Sequence, residues 1–270
     1  MVPTQDFPDH AFRVATFNIR YDTPADGDRS WDHRKDRVAS LLRFHRPDVV
    51  GLQEPLAHQY DFLRERLPEF DWNGVGRVDG AREGEFNPIA ARSNQFAVAD
   101  GGTHWLSEAP GEPGSMAWDA SHPRLVTWVE LRGPGGRSCY HFNTHFSHRS
   151  EHARVESAHL VRELVAEVAD GTPALVTGDL NCVEGSEPYA VLTDRDGPGR
   201  QLHDAFRAAG EYHHGPHVTF NRFEGDPDRK IDYVFATEGV SVHQHGVVAE
   251  CWEGPPSSDH MPVMADVSLD

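Results

Sequence analysis

Short apolar runs alternate along this chain with segments of helical periodicity, and this alternation predicts the elements of the fold. The apolar and β-branched residues from Phe12 to Ile19 predict a first buried strand. Apolar residues at helical spacing predict one helix from about Asp32 to His45 and another after Ser150, a residue type that favours the N-cap. A third helix is predicted from Gln59 to Leu67, where Pro68 would stop it. Further strands are predicted at residues 49–52, 89–91, 96–98, 125–131, 139–143, 174–177, 231–236, 240–245 and 261–267.

Strands in this number, with helices between them, predict a layered α/β or α+β fold. No repeat and no low-complexity linker divides the chain, so we expect a single domain over residues 1–270. The first ten residues have neither the basic nor the apolar region of a signal peptide, and no apolar run approaches the roughly 20 residues of a spanning helix. We therefore expect a cytoplasmic monomer that does not insert into membranes.

The composition is strongly acidic. Asp and Glu number 43 against 25 Lys and Arg, which gives a formal net charge of −18, and the only lysines are Lys35 and Lys230. Such a composition is typical of proteins in a salt-rich cytoplasm, where ions screen the self-repulsion, but a GC-rich genome would also disfavour lysine codons. Both explanations stay open. In either case an acidic surface is poorly suited to tight nonspecific binding of DNA.

The three cysteines, Cys139, Cys182 and Cys251, are odd in number and far apart in the chain. No CxxC spacing occurs among them, so neither a disulfide framework nor a thiolate zinc site is indicated. We interpret them as small apolar residues.

Polar residues that can bind a metal ion or a phosphate stand near the ends of the predicted strands. These residues are Asn18, Glu54, His145, Asp179, Asn181, Asp232, Asp259 and His260. Each one alone has a structural explanation: Gly-Asp-x-Asn is typical of a turn, and an adjacent Asp and His can form a surface pair. Their occurrence together, each beside a predicted strand, favours a shared site.

The fragments that carry these residues resemble, in the same order, the signature of the endonuclease/exonuclease/phosphatase superfamily. The most specific are Gly178-Asp179-Leu180-Asn181 and Ser258-Asp259-His260-Met261-Pro262-Val263, with Gln53-Glu54 and Ile231-Asp232-Tyr233 less so. The resemblance extends over essentially the whole chain and is greatest to a bacterial and archaeal branch of the superfamily. It implies a four-layer α/β/β/α sandwich of two mixed, largely antiparallel sheets, with the site at one edge of the two packed sheets.

The resemblance also implies a divalent cation, Mg²⁺ or Mn²⁺. Glu54 would be its main ligand, with Asn18 and Asp259 close by, directly or through water. A hard cation prefers oxygen ligands and keeps several waters, so one or two carboxylates are sufficient. When bound, it polarises a phosphoryl oxygen and stabilises the departing oxyanion.

The remaining residues would carry the chemistry of hydrolysis. By resemblance, Asp179 is the general base for the attacking water, and Asn181 donates to the phosphate. His145 and His260 would donate to non-bridging oxygens, while Asp232 would fix the tautomer of the His260 ring and favour its charged form. In a rival assignment the Asp232–His260 pair is the base and Asp179 orients the water; the sequence does not separate the two.

One position departs from part of the superfamily: the DNA-repair members carry an acidic residue two positions after the first-strand Asn, where this chain has Arg20. Arg124 and Arg154 are weaker candidates for phosphate contacts, with ordinary surface arginines as the alternative. The leading hypothesis is a metal-dependent phosphodiesterase or phosphatase acting on a small phosphoester. A DNA or RNA nuclease and an inactive binding scaffold of the same fold are the alternatives.

Overall fold

The computed structural model describes residues 7–8, 10–224, 228–250, 254 and 256–270. Its strands are β1 (Phe12–Asn18), β2 (Val49–Gln53), β3 (Phe70–Asn73), β4 (Ile89–Arg92), β5 (Ala97–Trp105), β6 (Leu125–Arg132), β7 (Ser138–His145), β8 (Ala174–Asp179), β9 (His203–Asp204), β10 (His213–His214), β11 (Asp232–Ala236), β12 (Val240–Val247) and β13 (Val263–Leu269). Its α-helices are α1 (Trp31–His45), α2 (Ala57–Arg66), α3 (Glu151–Ala169), α4 (Glu187–Thr193) and α5 (Ala205–Ala209).

The strands form two mixed sheets. The first has the order β10-β12-β13-β1-β2-β4-β3 and the second the order β5-β6-β7-β8-β11-β9. Most neighbours are antiparallel, but β1 pairs in parallel with β2, β7 with β8, and the short β10 with β12. Because parallel strands end at the same edge of a sheet, each sheet brings the carboxyl ends of two strands together.

Apolar side chains project from both faces of each sheet, and both faces are therefore packed against other elements. Residues of both sheets, among them Val14 and Val234, form the core between them. On the outer face of the first sheet lie α1 and α2, with Leu42 fully buried. The outer face of the second sheet packs against α3 and α4 through residues such as Val161 and Leu192. This confirms the four-layer α/β/β/α sandwich.

Most predicted elements are present within a few residues of their predicted ends. The helix after Ser150 begins at Glu151, and the Ser150 hydroxyl accepts a hydrogen bond from the Ala153 amide at 3.0 Å, as expected of an N-cap. The strand predicted over 96–98 extends as β5 to Trp105. Neither β3 nor α4 was predicted. In β3 only Phe70 is fully buried, so its apolar pattern is weak.

A buried polar cluster joins the two sheets close to the edge where the parallel strands end. The Asn143 side chain on β7 donates to the Leu52 carbonyl at 2.7 Å and accepts from the Gln53 amide at 2.6 Å. Gly51 makes this approach possible, because a Cβ there would lie 2.3 Å from the hydroxyl oxygen of Thr177. The cluster therefore fixes β2 against β7 and β8 at the ends that carry the candidate site.

Within the described part of the chain, no helix is long and apolar enough to cross a membrane. Cys139 and Cys182 are buried and free of disulfides, and burial raises the pKa of both thiols. Both therefore behave as small apolar residues, as their spacing indicated. Cys251 lies outside the described residues.

Candidate active site

The eight strand-end residues meet at one edge of the two sheets. Six of them line a pocket of about 910 Å³: Glu54, His145, Asp179, Asn181, Asp259 and His260. The other two, Asn18 and Asp232, are fully buried and are hydrogen-bonded to pocket residues. Strand pairing explains this convergence, because Asp179 on β8 lies in register with His145 on β7 and with Asp232 on β11.

Asn18 joins two carboxylates from different sheets. Its amide nitrogen donates to Glu54 Oε1 at 3.1 Å and to Asp179 Oδ2 at 3.0 Å. The second oxygen of Glu54, Oε2, accepts from the Tyr21 amide at 2.9 Å. Glu54 itself has a φ of 75°, in the left-handed region that costs a non-glycine residue free energy. These contacts stabilise the strained backbone conformation of Glu54, whose carboxylate faces the pocket.

Asp179 lies between two histidines. Its Oδ2 atom is 3.4 Å from His145 Nε2 and 3.7 Å from His260 Nε2, while its Oδ1 atom accepts from the Asn181 amide at 2.9 Å. Burial, followed by the charge of the neighbouring Asp232, raises the pKa of Asp179 well above its usual range. A carboxylate in this setting takes up a proton far more readily than one in water.

His260 is held by Asp232 from the side away from the pocket. Its Nδ1 atom lies 2.9 Å from Asp232 Oδ2, which also accepts from the Thr219 hydroxyl at 2.6 Å. Burial favours the neutral ring, but the carboxylates of Asp232 and Asp179 outweigh it and raise the pKa of His260 above its usual value. At neutral pH the ring is therefore charged, and its Nε2 atom lies 3.7 Å from Asp179 Oδ2.

His145 has the opposite electrostatic setting. Burial, together with the positive charge of Arg124, lowers the pKa of His145 well below its usual value, so the ring is neutral. Asn181 Nδ2 lies 3.0 Å from His145 Nε2 and also donates to the Phe146 carbonyl at 3.1 Å, which identifies this atom as the amide nitrogen. His145 Nε2 is then an acceptor and Nδ1 carries the proton. That Nδ1 atom is buried with no hydrogen-bond partner among the described residues.

Asp259 lies at the mouth of the pocket beside Arg20. Its Oδ1 atom is within 3.2 Å of the Ser258 hydroxyl, which donates to the Asn18 carbonyl at 2.7 Å. Arg20 forms a two-pronged ion pair with Asp26, with both N–O distances at 3.0 Å, and its Nε atom is 4.0 Å from Asp259 Oδ2. Arg20 thus places a fixed positive charge beside Asp259.

Arg34 is a site residue that the sequence interpretation missed. Its side chain is completely buried, and its guanidinium donates to the carbonyls of Ile19, Arg20 and Ser257. It therefore holds the loop after β1 against the loop that carries Asp259. The signal was present in the sequence, since an arginine on the apolar face of a predicted amphipathic helix needs internal partners.

Arg124 and Arg154 both reach the pocket. Arg124 is 5% exposed, and its Nη1 atom has no hydrogen-bond partner among the described residues. Arg154 donates from Nη1 to the Ser147 carbonyl at 2.9 Å, and its buried Nε atom likewise has no partner in that part of the chain. Neither is an ordinary surface arginine.

The donor set around Glu54 suits a hard divalent cation. Glu54 and Asp259 present carboxylates to the same pocket, and the charge of Glu54 contributes to raising the pKa of Asp259 after burial, the larger cause. Asp179, Asp232 and His260 also have ligand atoms within 4.8 Å of one another. There, however, Asp232 Oδ2 is already occupied by His260 and Thr219, so Glu54 and Asp259 are the better ligands.

Comparison with known proteins identifies the family of this chain. A family model described as the Endonuclease/Exonuclease/phosphatase family matches residues 15–260. An endonuclease/exonuclease/phosphatase structure from Bacteroides vulgatus is 39% identical, with 96% of this chain and 99% of that chain covered and a TM-score of 0.92. A mannosyl-6-phosphatase from Bacteroides thetaiotaomicron is 32% identical, with 96% and 100% covered and a TM-score of 0.90.

A curated relative aligns over a shorter stretch. The CCR4-Not complex 3'-5'-exoribonuclease subunit Ccr4 of Emericella nidulans is 28% identical over 127 residues, which are 40% of this chain. The match spans 19% of that protein's length.

Proposed function

The chain belongs to the endonuclease/exonuclease/phosphatase family, whose members are phosphoester hydrolases, and we propose that it hydrolyses a small-molecule phosphoester with an activated water and a divalent cation. The observation that supports this most directly is the position of Asp179. One buried carboxylate lies within 3.4 Å of His145 and 3.7 Å of His260, and accepts from Asn18 at 3.0 Å. Such an arrangement can deprotonate a water and surround a phosphate with donors.

We assign the cation to Glu54 and Asp259. Asn18 donates to Glu54 and so orients that carboxylate, while remaining close enough to reach the cation directly or through water. A bound Mg²⁺ or Mn²⁺ would neutralise charge on a phosphoryl oxygen and on the departing oxyanion. Arg34 supports this half of the site from beneath by fixing the loops on either side of it.

We assign Asp179 as the general base. Its raised pKa brings it toward the range in which a carboxylate accepts a proton at neutral pH. His260 suits the rival role of base poorly, because its own raised pKa keeps it charged. A charged ring held by Asp232 is instead a strong donor to a non-bridging oxygen.

The remaining polar groups would hold the phosphate. His145 lies on the second sheet's side of the pocket with no partner for Nδ1 among the described residues, and Asn181, which donates to His145 and to the Phe146 carbonyl, would orient that ring. Arg124 and Arg154 extend this side with positive charge. Together with charged His260, these groups would stabilise the negative charge that develops on the phosphoryl oxygens.

A small substrate is favoured over a long nucleic acid by two observations. The mannosyl-6-phosphatase of Bacteroides thetaiotaomicron, similar over 96% of this chain, acts on a small phosphoester. In addition, the formal net charge of −18 opposes the approach of a polyanion.

The test is a hydrolysis screen of purified protein with Mg²⁺ or Mn²⁺ against sugar phosphates, nucleotides, small phosphodiesters, single-stranded RNA and duplex DNA. We expect turnover of small substrates that excess chelator abolishes and added cation restores. Repeating the screen over a salt series adds a second criterion, because a nuclease that tracks a polyanion loses affinity steeply as salt rises. Cleavage confined to long nucleic acid and weakened by salt would refute the proposal, as would full activity in excess chelator.

A further inference from the structure

One wall of the pocket carries more hydrogen-bond donors than acceptors. Arg124, just before β6, is buried, and its Nη2 atom lies 3.1 Å from His148 Nδ1. On the other side of the same ring, Arg149 Nε lies 3.3 Å from His148 Nε2. A neutral imidazole has one nitrogen that accepts and one that donates, and a charged imidazole has none that accepts. His148 can therefore accept from only one of the two arginines.

Arg124 is the member of this wall that most needs another partner. No described residue forms a salt bridge with it, and its Nη1 atom is buried without a hydrogen-bond partner in the same part of the chain. Glu85 exerts the largest attraction on it, but the Glu85 carboxylate is paired with Arg77 at 2.5 Å. A buried guanidinium that lacks a counter-ion is costly, so an anion entering the pocket would be held strongly there.

Arg124 lies close to the residues to which hydrolysis is assigned. Among the charges that lower the pKa of His145, that of Arg124 comes first after burial, and both residues line the same pocket as Asp179. Burial lowers the pKa of Arg124 as well, yet a guanidinium stays charged at neutral pH. Arg124 would therefore present a positive charge to a phosphate bound beside Asp179 and His260.

The number of terminal oxygens distinguishes the two classes of phosphoester. A diester has two and a charge of −1, whereas a monoester has three and a charge of about −1.5 to −2 near neutral pH. The proposed function already assigns partners to two of these oxygens, the divalent cation to one and charged His260 to another. Resting on that proposed function, we infer that Arg124 receives the third terminal oxygen, so that the enzyme selects phosphate monoesters over diesters.

The experiment uses two substrates that differ in one methyl group: p-nitrophenyl phosphate and methyl p-nitrophenyl phosphate. Their leaving group is the same, so the ratio of their two kcat/KM values reports how strongly the enzyme recognises the third oxygen. We expect the wild-type protein with Mg²⁺ to prefer the monoester, and Arg124→Met to lower kcat/KM for it by about 10- to 100-fold, the usual value of a hydrogen bond to a charged group. For the diester we expect a change of less than about threefold, because no donor is lost there.

Two controls accompany this comparison. Arg132→Met removes an exposed arginine at the far end of β6, where it pairs with Glu130, and it should leave both rates unchanged. The second needs no variant of Arg124: inorganic phosphate should inhibit the wild-type protein at a far lower concentration than dimethyl phosphate does. This inhibitor comparison still tests the inference if Arg124→Met fails to fold.

The outcomes separate this inference from the function on which it rests. Equal losses for both substrates in Arg124→Met, a wild-type preference for the diester, or equal inhibition by both phosphates would overturn monoester selection while leaving phosphoester hydrolysis intact. Absence of cation-dependent hydrolysis of either substrate, together with failure of every small phosphoester in the wider screen, would instead overturn the proposed function.

Discussion

Acidification should destabilise this protein through His141, a histidine outside the catalytic group. The ring lies fully buried on β7, with Nε2 2.8 Å from the Thr177 hydroxyl and with Nδ1 lacking a hydrogen-bond partner among the described residues. Burial lowers the pKa of His141 to about 3, from an ordinary value of 6.5. A proton on this ring would place an unpaired charge between the two sheets.

The size and sign of the effect follow from these two values. Between pH 6.5 and about pH 3 the unfolded chain binds a proton that the folded chain does not. The free energy of unfolding therefore has its full value above pH 6.5 and decreases as the pH is lowered from 6.5 toward about 3. At about pH 5 the loss from this one group is about 2 kcal/mol, at about 1.36 kcal/mol per pH unit. Asp179 acts in the opposite direction, because its raised pKa lets the folded protein take up a proton first.

Because these contributions oppose one another, the assay compares variants rather than the wild-type curve alone. His141→Gln removes the titrating group and keeps a donor for Thr177, and His152→Gln removes a histidine from the exposed face of α3 as a control. The free energy of unfolding is measured by urea denaturation at several pH values between about 7 and 5. We expect the free energy of unfolding of His141→Gln to depend less steeply on pH than that of the wild-type protein, by an amount that corresponds to nearly one bound proton. A slope equal to that of the control would refute the assignment.

Three further predictions concern the active site. Asp179→Asn should lower kcat by ~10² or more with the melting temperature little changed, and a rate near that of the wild-type protein would exclude Asp179 as the base. Asp232→Asn should lower activity and shift the pH–rate profile, since His260 loses the carboxylate that keeps it charged; an unchanged profile would make Asp232 purely structural. Arg34→Met should weaken Mg²⁺ affinity, measured by titration calorimetry, more than Arg34→Lys does, and equal affinities would contradict its role in holding the two loops.

The sequence predicted the convergence of the candidate residues better than it predicted the edges of the fold. Asn18, Glu54 and Asp179 were identified because the fragments that carry them together resemble a family signature, and because strand ends are where α/β scaffolds assemble sites. The central strands were equally clear, since burial on both faces produces continuous apolar runs. By contrast, β3 and β5 are only partly buried, and they lack the continuous apolar run that identifies a central strand.

What the sequence did not reveal is which groups lack partners. His148 and Arg149 are unremarkable in the sequence, and only the geometry shows that two arginines compete for one imidazole. The neutral state of His145 and the charged state of His260 likewise depend on burial and on neighbours distant in the chain. Electrostatics of this kind is a property of the assembled site, because each pKa sums contributions from several strands.

The charge distribution explains how so acidic a protein can still take an anionic substrate. Six arginines line the pocket: Arg20, Arg77, Arg124, Arg149, Arg154 and Arg229. The net charge of −18 acts on approaching molecules over the whole surface, but at physiological salt its reach is limited to a Debye length of about 8 Å. Under the proposed function, a small phosphoester that crosses this distance would enter the field of the arginines and of a bound cation, whereas most of a long polyanion would stay outside against the acidic surface. The same distribution of charge would therefore favour binding of a terminal phosphate and oppose binding of a polymer.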